Sequence, residues 1–597
     1  MKYFKYFLKI FKNNKLIFIS SNVLSIFSAI FGGLTIGLIV PLLDPSNDNL
    51  FGDSGLDFLA SYFNFINDYE GISRIRVVCL IILLVGSLEF LTTVATSYLA
   101  SILQLKVLKN TQELLINKID TLEIIDFYQF EQGRIFSLIT NDSRMLSRIV
   151  SRILNSIKDL WLLFIFLFVL FLVSPIMTIS AFLLLGVISI LINSKLGNVL
   201  KKRNFEFANK TENINGELYE TLSAFKYLKA SGNDSQQFQR INKLFQSWRD
   251  AEWSILKISI LPQPVFTLLN TYSITLLLFI GTILFPSDRS DWLSLMIPFL
   301  FLIFKLMPTI SNLNNARIKL RSVKPYFERV DHFLNNDSSS SVEFGNKTID
   351  NIESIRLEDL SFSFSNNSLF SLKGINLKFN LKSLTAIVGP SGGGKTTLVD
   401  IILGLYSQYN GSLYINGDEL KEIDIKSYRS QIAYIDQQNF LFNRTIKENI
   451  VMFNSDIRNE IIIEAAKKAG AHDFIISLPQ GYDTLLGESG INLSGGQKQR
   501  IGLTRAFLSS ANFVILDEST SNLDYKTEKE VINKIKLLNK DKGVIVIAHR
   551  LSSIYDADNI VYIDDGRIIE SGTHEELIMN KGKYFEQLSS GSVIYDS

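Results

Sequence analysis

The run Gly389, Pro390, Ser391, Gly392, Gly393, Gly394, Lys395, Thr396, Thr397 has the spacing G-x-x-x-x-G-K-[ST]. Its glycines let backbone N–H groups turn inward around phosphates, and the start of a helix adds positive potential. Lys395 can reach the terminal phosphates, and the Thr396 hydroxyl suits Mg²⁺. Further along, Phe513 to Glu518 reads as an apolar strand ending in Asp517 and Glu518, the first acid suited to a metal and the second to activating water. Ser494, Gly495, Gly496 and Gln497 follow Leu493 and open a helical run through Leu508, with Ser494 as the N-cap of a helix start that favours an anion. Gln437, after the strand-like Ile432 to Ile435, and His549, after Val544 to Ala548, are weaker candidates, because a lone Gln or His at a strand end is more often structural.

These residues need a strand, a tight loop and a helix to position them. Leu384 to Val388 is short, apolar and β-branched, and Leu398 to Leu405 is apolar at helical spacing. The chain of 597 residues exceeds one ordinary domain, and its net charge of +1 gives no global pull toward nucleic acid. Its single cysteine, Cys79, excludes an internal disulfide and a thiolate metal cluster. Long uncharged runs fill the first half, whereas the second half has the pattern of a soluble α/β domain. The polar, apolar-free stretch Asn335 to Ser341 marks the boundary. We therefore expect a multidomain membrane protein: an all-α six-helix transmembrane domain over 1–330, a linker over 331–351, and an α/β P-loop domain over 352–597.

The spans are read as follows. Lys2, Lys5, Lys9, Lys12 and Lys15 precede an uncharged run from Leu16 to Leu43, too long for a cleaved signal peptide. Val77 to Leu105 is a second span carrying Glu89, and Leu160 to Ile192 is two helices meeting at Ser174-Pro175. Ile258 to Phe285 and Trp292 to Leu313, the latter carrying Lys305, complete six. Lys and Arg crowd the N-terminus, 106–158, 195–257 and the exit from the last span, so these segments and the second half are expected on the cytoplasmic side. Both long segments keep helical periodicity, with breaks near Asp126 to Gly133 and Leu222 to Gly232. Residues 56–69 fill one half of a helical wheel with Leu, Phe, Ile and Tyr, which predicts an amphipathic helix at the outer surface. Glu89 and Lys305 are ionisable groups inside spans, suited either to a substrate headgroup or to pairing within the bundle.

With the P-loop, Gln437, the sequence LSGGQ at 493–497, the acidic strand end, Ser519 to Asp524 and His549 in one order, the second half resembles the ATPase domain of ABC transporters. The resemblance implies ATP and Mg²⁺ as cofactors. It puts Lys395 and Ser391 on phosphates, Thr396, Gln437 and Asp517 around Mg²⁺, Glu518 as general base, and His549 on the γ-phosphate. Phe364 occupies the place where the family usually stacks Tyr on adenine, and a phenyl ring offers the same face. Gly487 to Gly490 looks like the segment that touches the membrane domain in exporters.

Six spans followed by an ATPase domain resemble a half-size exporter, the fold shared by lipid flippases, multidrug pumps and peptide exporters. Phe127 to Arg134 and Glu220 to Gly232 fall where that family has coupling helices. One P-loop and one signature per chain imply a homodimer with two composite sites, working by alternating access in a bacterial inner membrane with both termini cytoplasmic. The outer helix with Glu89 and Lys305 suits an amphipathic or lipid-linked substrate; nucleic acid is not an expected partner. Lipid-linked oligosaccharide flippases are expected to present several cavity arginines, whereas here Arg74, Arg76 and Arg289 stand only at the outer ends. The alternatives are a multidrug or peptide exporter of the same fold, or, from another class, an ATP-gated channel or sensor that does not pump. Because the first span opens the chain, export coupled to leader cleavage is not expected.

Overall fold

Hydroxyls face inward and hydrocarbon faces outward on the first long helix, α1 (Lys15–Gly37). Ser21, Ser25, Ser28 and Thr35 are buried, while Leu16, Ile19, Val23, Phe27 and Ile30 are exposed. That inversion suits a helix whose solvent is lipid, where small and hydroxylated residues bring helices together and large apolar ones face acyl chains. The structure, a computed structural model, describes residues 10–38, 69, 71–130, 132–173, 175–260, scattered positions within 264–279 and 304–320, and then 323–335, 344–364, 371–437, 439–452, 454, 456–487, 490–517, 525–548 and 554–592. The chain forms two compact units, residues 1–122 with 127–338, and residues 123–126 with 339–597.

In the first unit α1 packs on α2 (Gly71–Asp120). Ser28 Oγ lies 2.9 Å from Thr93 Oγ1 across this seam. Gly32 faces Glu89 closely here, and a Cβ on it would stand 3.1 Å from Glu89 Oε1. Beyond the membrane end of α2 come the short helices α3 (Ile124–Gln129) and α4 (Gln132–Ser137), then a π-turn over Leu138–Asp142 and the long helix α5 (Ser143–Val173). Helix α6 (Pro175–Ser223) starts at Pro175, which is tolerated in a first turn because its missing N–H has no intrahelical partner there. A short helix, α7 (Phe225–Ser231), closes on Gly232 in the left-handed region (φ +69°), and α8 (Asp234–Ile260) returns. Helix α9 (Lys324–Asn335) follows the last span.

Among the described residues, three helices are long and apolar enough to cross a membrane, at Lys15–Thr35, Ile72–Asp120 and Gly133–Phe171. The expected break at Ser174-Pro175 falls between α5 and α6. The fifth and sixth spans lie largely outside the described residues, as do Lys305, the outer amphipathic segment up to Asp68, and positions 336–343 of the linker. The expected extension of the spans as helices beyond the bilayer is present: α2, α5, α6 and α8 run through 106–120, 143–158 and most of 195–257. Each of these two long segments turns on short helices, the first beginning at Ile124, earlier than the expected 127.

The second unit is built on two sheets. An antiparallel sheet has the order β2 (Ser371–Asn380), β1 (Ser354–Ser363), β4 (Asn410–Ile415), β5 (Asp418–Glu419). The larger sheet has the order β10-β9-β3-β8-β7-β6, comprising β3 (Leu384–Val388), β6 (Ile432–Ile435), β7 (Phe513–Asp517), β8 (Gly543–Ile547), β9 (Asn559–Asp564) and β10 (Arg567–Gly572). Strands β3, β7 and β8 are buried along their whole length, as their continuous Val, Ile and Leu runs require of parallel strands covered on both faces. One core unites the two sheets around helix α10 (Lys395–Ile402), whose Leu398, Val399, Ile401 and Ile402 are fully buried. The opposite face of the parallel sheet packs against α14 (Tyr525–Asn539) through Val531, Ile535 and Leu538. A separate helical layer contains α11 (Ile446–Val451), α12 (Asn459–Ala469) and α13 (Gly495–Leu508), with its own core of Leu441, Ile446, Ile462 and Ile501.

Candidate functional site

Strands β3, β8, β7 and β6 are parallel neighbours, with Ile387 opposite Ile547, Asp517 opposite Ile547, and Leu516 opposite Ile435. Their C-terminal ends share one edge of the sheet, the position at which open parallel sheets bind ligands. That edge carries the loop 389–394 after β3, Asp517 closing β7, and Gln437 two residues beyond β6. Three distant pieces of sequence are joined there by strand order alone. Glu518 and His549, each next to an element that ends on this edge, lie outside the described residues, as do Ser519 to Asp524 and Glu488 with Ser489.

The loop is shaped for an anion. Gly389 cannot be replaced without displacing backbone: its φ is +143° and a Cβ would stand 1.9 Å from Ile563 O. Gly394 caps α10 with φ +108°, again in the region that favours glycine. The Gly566 N–H donates to Gly393 O at 3.1 Å, which moors the loop to the β9–β10 turn. Gly389, Gly393, Gly394, Lys395 and Thr397 are buried, whereas Pro390, Ser391, Gly392 and Thr396 are exposed, so the loop's outer rim is open to a ligand. The Lys395 ammonium donates to Gly389 O at 2.9 Å and to Pro390 O at 2.8 Å. A buried cation is thus kept at the cradle by the cradle's own carbonyls.

Asp517 is buried, and the Tyr434 hydroxyl approaches its Oδ2 at 3.5 Å. Burial pushes the Asp400 carboxyl up to about 6; a hydrogen bond from Tyr406 opposes this and the charge of Asp517 adds to it. Burial and the neighbouring Asp517 likewise push the Tyr434 phenol up. The strand-end acid therefore sits amid surplus negative charge, a setting that favours a divalent cation. Asp400 and Tyr434 escaped the sequence reading because their closeness to Asp517 arises from sheet order. The signal available was local only: Asp400 is the one acid in the helix after the loop, within the apolar run Leu398 to Ile402.

Phe364 is about half exposed at the end of β1. It meets Phe362 edge-on at 5.1 Å and Tyr406 edge-on at 5.8 Å, while Phe362 stacks on Tyr406 at 5.0 Å. Two buried rings thus hold an outer, half-exposed one, an aromatic surface of the kind that stacks on planar groups. Gln437 is exposed.

Ser494 caps α13 as the sequence predicts. Its Oγ accepts from the Gln497 N–H at 3.3 Å, and Gln497 Oε1 accepts from the Ser494 N–H at 2.9 Å. This reciprocal capping box satisfies two donors and leaves Ser494 and Gly495 exposed. Helix α13 is held in the helical layer through Ile501 and bridged to the segment after β6, with Arg505 Nε donating to Asn449 O at 2.8 Å and its NH1 to Phe440 O at 3.0 Å. The signature thus belongs to a different core from the P-loop. In the first unit, Glu89 is half buried in the α1–α2 seam beside Gly32.

The geometry can be set beside known proteins. Residues 372–521 match the ABC transporter family model and residues 15–306 the model of the ABC transporter transmembrane region. An ATP-dependent lipid A-core flippase of Syntrophus aciditrophicus is 30% identical over 566 residues, covering 93% of this chain and 90% of that protein. A Staphylococcus aureus protein named for multidrug export as an ATP-binding/permease protein is 45% identical over 230 residues, 38% of this chain and 40% of that one. A solved structure described as a bacterial Atm1-family ABC exporter with ATP bound shares the fold, with a TM-score of 0.76 and 20% identity, covering 94% of this chain and 98% of that one. A helical membrane domain joined to an α/β ATPase domain, matched along both halves, makes this chain a member of the ABC transporter family, an ATP-hydrolysing transporter of the exporter type.

Proposed function

We propose that two copies of this chain form an exporter that moves an amphiphile, a lipid or lipid-linked saccharide, from the cytoplasmic side of a bacterial inner membrane outward. The observation that carries this reading is the relative named as a lipid A-core flippase, which aligns along both halves of the chain and so includes the membrane half that meets cargo. The multidrug relative, matching a smaller share of the chain, bears less on cargo. The chain's residues suit ATP: a glycine loop with no room for a Cβ at Gly389, a cation at Lys395, and a supported ring at Phe364.

Bound ATP with Mg²⁺ supplies the charge and the hydrolysable bond. Ser391 and Lys395 hold phosphate oxygens, Pro390, Gly392, Gly393, Gly394 and Thr397 shape the loop, and Thr396, Gln437 and Asp517 hold Mg²⁺. Glu518 takes the proton from water, and His549 steadies the terminal phosphate. Ser494, Gly495, Gly496 and Gln497 of one protomer complete the site of its partner, for which their exposure at a helix start is the support. Closure with ATP and reopening after hydrolysis then alternate the membrane cavity between inward and outward access. Glu89 and Lys305 meet the polar head of the cargo, and residues 56–69 lie at the outer surface. Both termini and the ATPase domain are cytoplasmic.

The test is to reconstitute the purified protein in liposomes and follow ATP-dependent flipping of headgroup-labelled lipid, after identifying lipid that co-purifies. The expected result is flipping that requires ATP and stops in Glu518→Gln. ATP hydrolysis without lipid movement, coupled instead to release of a hydrophobic dye, would replace the lipid reading by the multidrug one.

A further inference from the structure

Arg329, on the helix that follows the last span, holds Asp142 by both carboxylate oxygens. Its Nε donates to Oδ2 and its NH2 to Oδ1, each at 2.8 Å. The Asp142 side chain is 1% exposed and that of Arg329 14%, so this two-pronged pair is removed from water. Two more charges complete the cluster: Arg329 NH1 lies 3.8 Å from Glu212 Oε2, and Arg134 Nε lies 3.0 Å from Glu212 Oε1. Two bases face two acids, and the Arg329 guanidinium lies over the Tyr326 ring at 5.0 Å. The cluster is charge-balanced, and its buried Asp142–Arg329 pair is costly to break, because removing one partner strands the other in a low-dielectric setting.

The backbone around the quartet is irregular where Asp142 enters it. Leu138–Asp142 forms a π-turn, closed by the Ser143 N–H donating to Leu138 O, and Ser143 Oγ donates to Ile139 O. The same Ile139 carbonyl accepts from Gln112 Nε2 on α2 at 3.1 Å. Such turns are rare and recur at functional positions. Nearby, α4 and α6 cross with backbone against backbone: a Cβ on Gly133 would stand 3.1 Å from Gly216 Cα. Phe130 and Phe333 meet edge-on at 5.1 Å on the adjoining side. Residues from both helical hairpins and from α9 thus converge on one charge cluster, and α9 is the last helix before β1 among the described residues.

We infer that Arg329 is a positioning residue for transport. It clasps α9 to both hairpins at the π-turn, so that α9 and the two hairpins move as one body during the ATP cycle. The inference rests on the chain's place among ATP-driven exporters and on no assignment of cargo or of catalytic residues.

The test uses the full chain in lipid nanodiscs and reads amide exchange with and without ADP–vanadate trapping. Exchange is recorded separately for ATPase-domain peptides covering 384–405 and for hairpin peptides covering 106–120 and 205–222. Arg329→Lys keeps the charge but loses the fork, Arg329→Met removes both, and the double variant Asp142→Arg with Arg329→Asp reverses the pair. In Arg329→Lys and Arg329→Met we expect the KM for ATP to stay within about twofold of wild type. The ATPase-domain response should persist while the hairpin response falls about fivefold or more, the scale of a lost coupling free energy. The reversed pair restores the mutual attraction but sets an acid at position 329 beside Glu212, so it should recover part of the hairpin response. A full hairpin response in both single variants would overturn the proposal. So would a loss of hairpin and ATPase-domain responses in equal proportion, since that marks a structural role only. Should Arg329→Met fail to fold, Arg329→Lys and the reversed pair decide.

Discussion

Lys395 Nζ donates to the carbonyl oxygen of Gly389, six residues earlier, at 2.9 Å. The lysine is held at the loop by the carbonyls of Gly389 and Pro390. Lys395→Met should therefore leave the thermal midpoint within a few degrees of wild type, while ATP affinity falls about 10- to 100-fold, the scale of a lost hydrogen bond to a charged group. Equilibrium binding of a fluorescent ATP analogue beside a thermal melt checks both. A collapse of stability with unchanged affinity would reverse the assignment.

Glu518→Gln removes the proposed base and keeps the size. Binding of ATP should be retained within about threefold and turnover should fall about 10²- to 10⁴-fold, as for other general bases. Phosphate release under saturating ATP and Mg²⁺ measures this. Turnover near wild type would move the proton acceptor elsewhere.

Ser494 caps α13, and on the proposed reading it also presents a neutral rim to a partner's phosphates. Ser494→Ala should lower stability by about 1 kcal/mol through the lost cap. Ser494→Asp keeps a good cap and complements the helix dipole, so its melting temperature should match wild type. Its carboxylate should nonetheless abolish ATPase activity by repelling phosphate. An active Ser494→Asp protein would detach the signature from the ATP site.

Asp400 carries a pH dependence. Its carboxyl is pushed up to about 6 in the folded protein, above the ordinary aspartate range, because burial and then Asp517 disfavour the charge. A raised acid stabilises the fold below its unfolded value, and that contribution is lost as pH climbs through the folded one. Without nucleotide and in the presence of EDTA, Asp400→Asn should melt higher than wild type, by a larger margin at about pH 7.5 than at about pH 5. Parallel melts at the two pH values measure the margin. An equal margin at both would leave Asp400 uncoupled from the fold's charge balance.

Much of the ATPase half was legible because each piece is local. Leu384–Val388 and Ile432–Ile435 read as strands from continuous β-branched and apolar residues, and the structure gives both the same bounds. Ser494 and Gln497 sit three apart, the spacing of a capping box, and form one. What escaped is long-range or irregular. Arg329 and Asp142 are 187 residues apart in sequence, and Asp142 reaches its partner from a π-turn that no helical period encodes. Asp400 meets Asp517 only because β3 and β7 lie two places apart in the sheet. Glu89 was legible as an ionisable group in a span, whereas its place beside Gly32 follows from the packing of α1 on α2.

The central claim is that ATP is hydrolysed between two copies of the chain. It is tested most directly by measuring ATPase turnover in nanodiscs holding one chain or two, sorted by mass. The account predicts turnover in the two-chain discs and only background in the one-chain discs. A single chain that hydrolyses ATP at the full per-chain rate would contradict it.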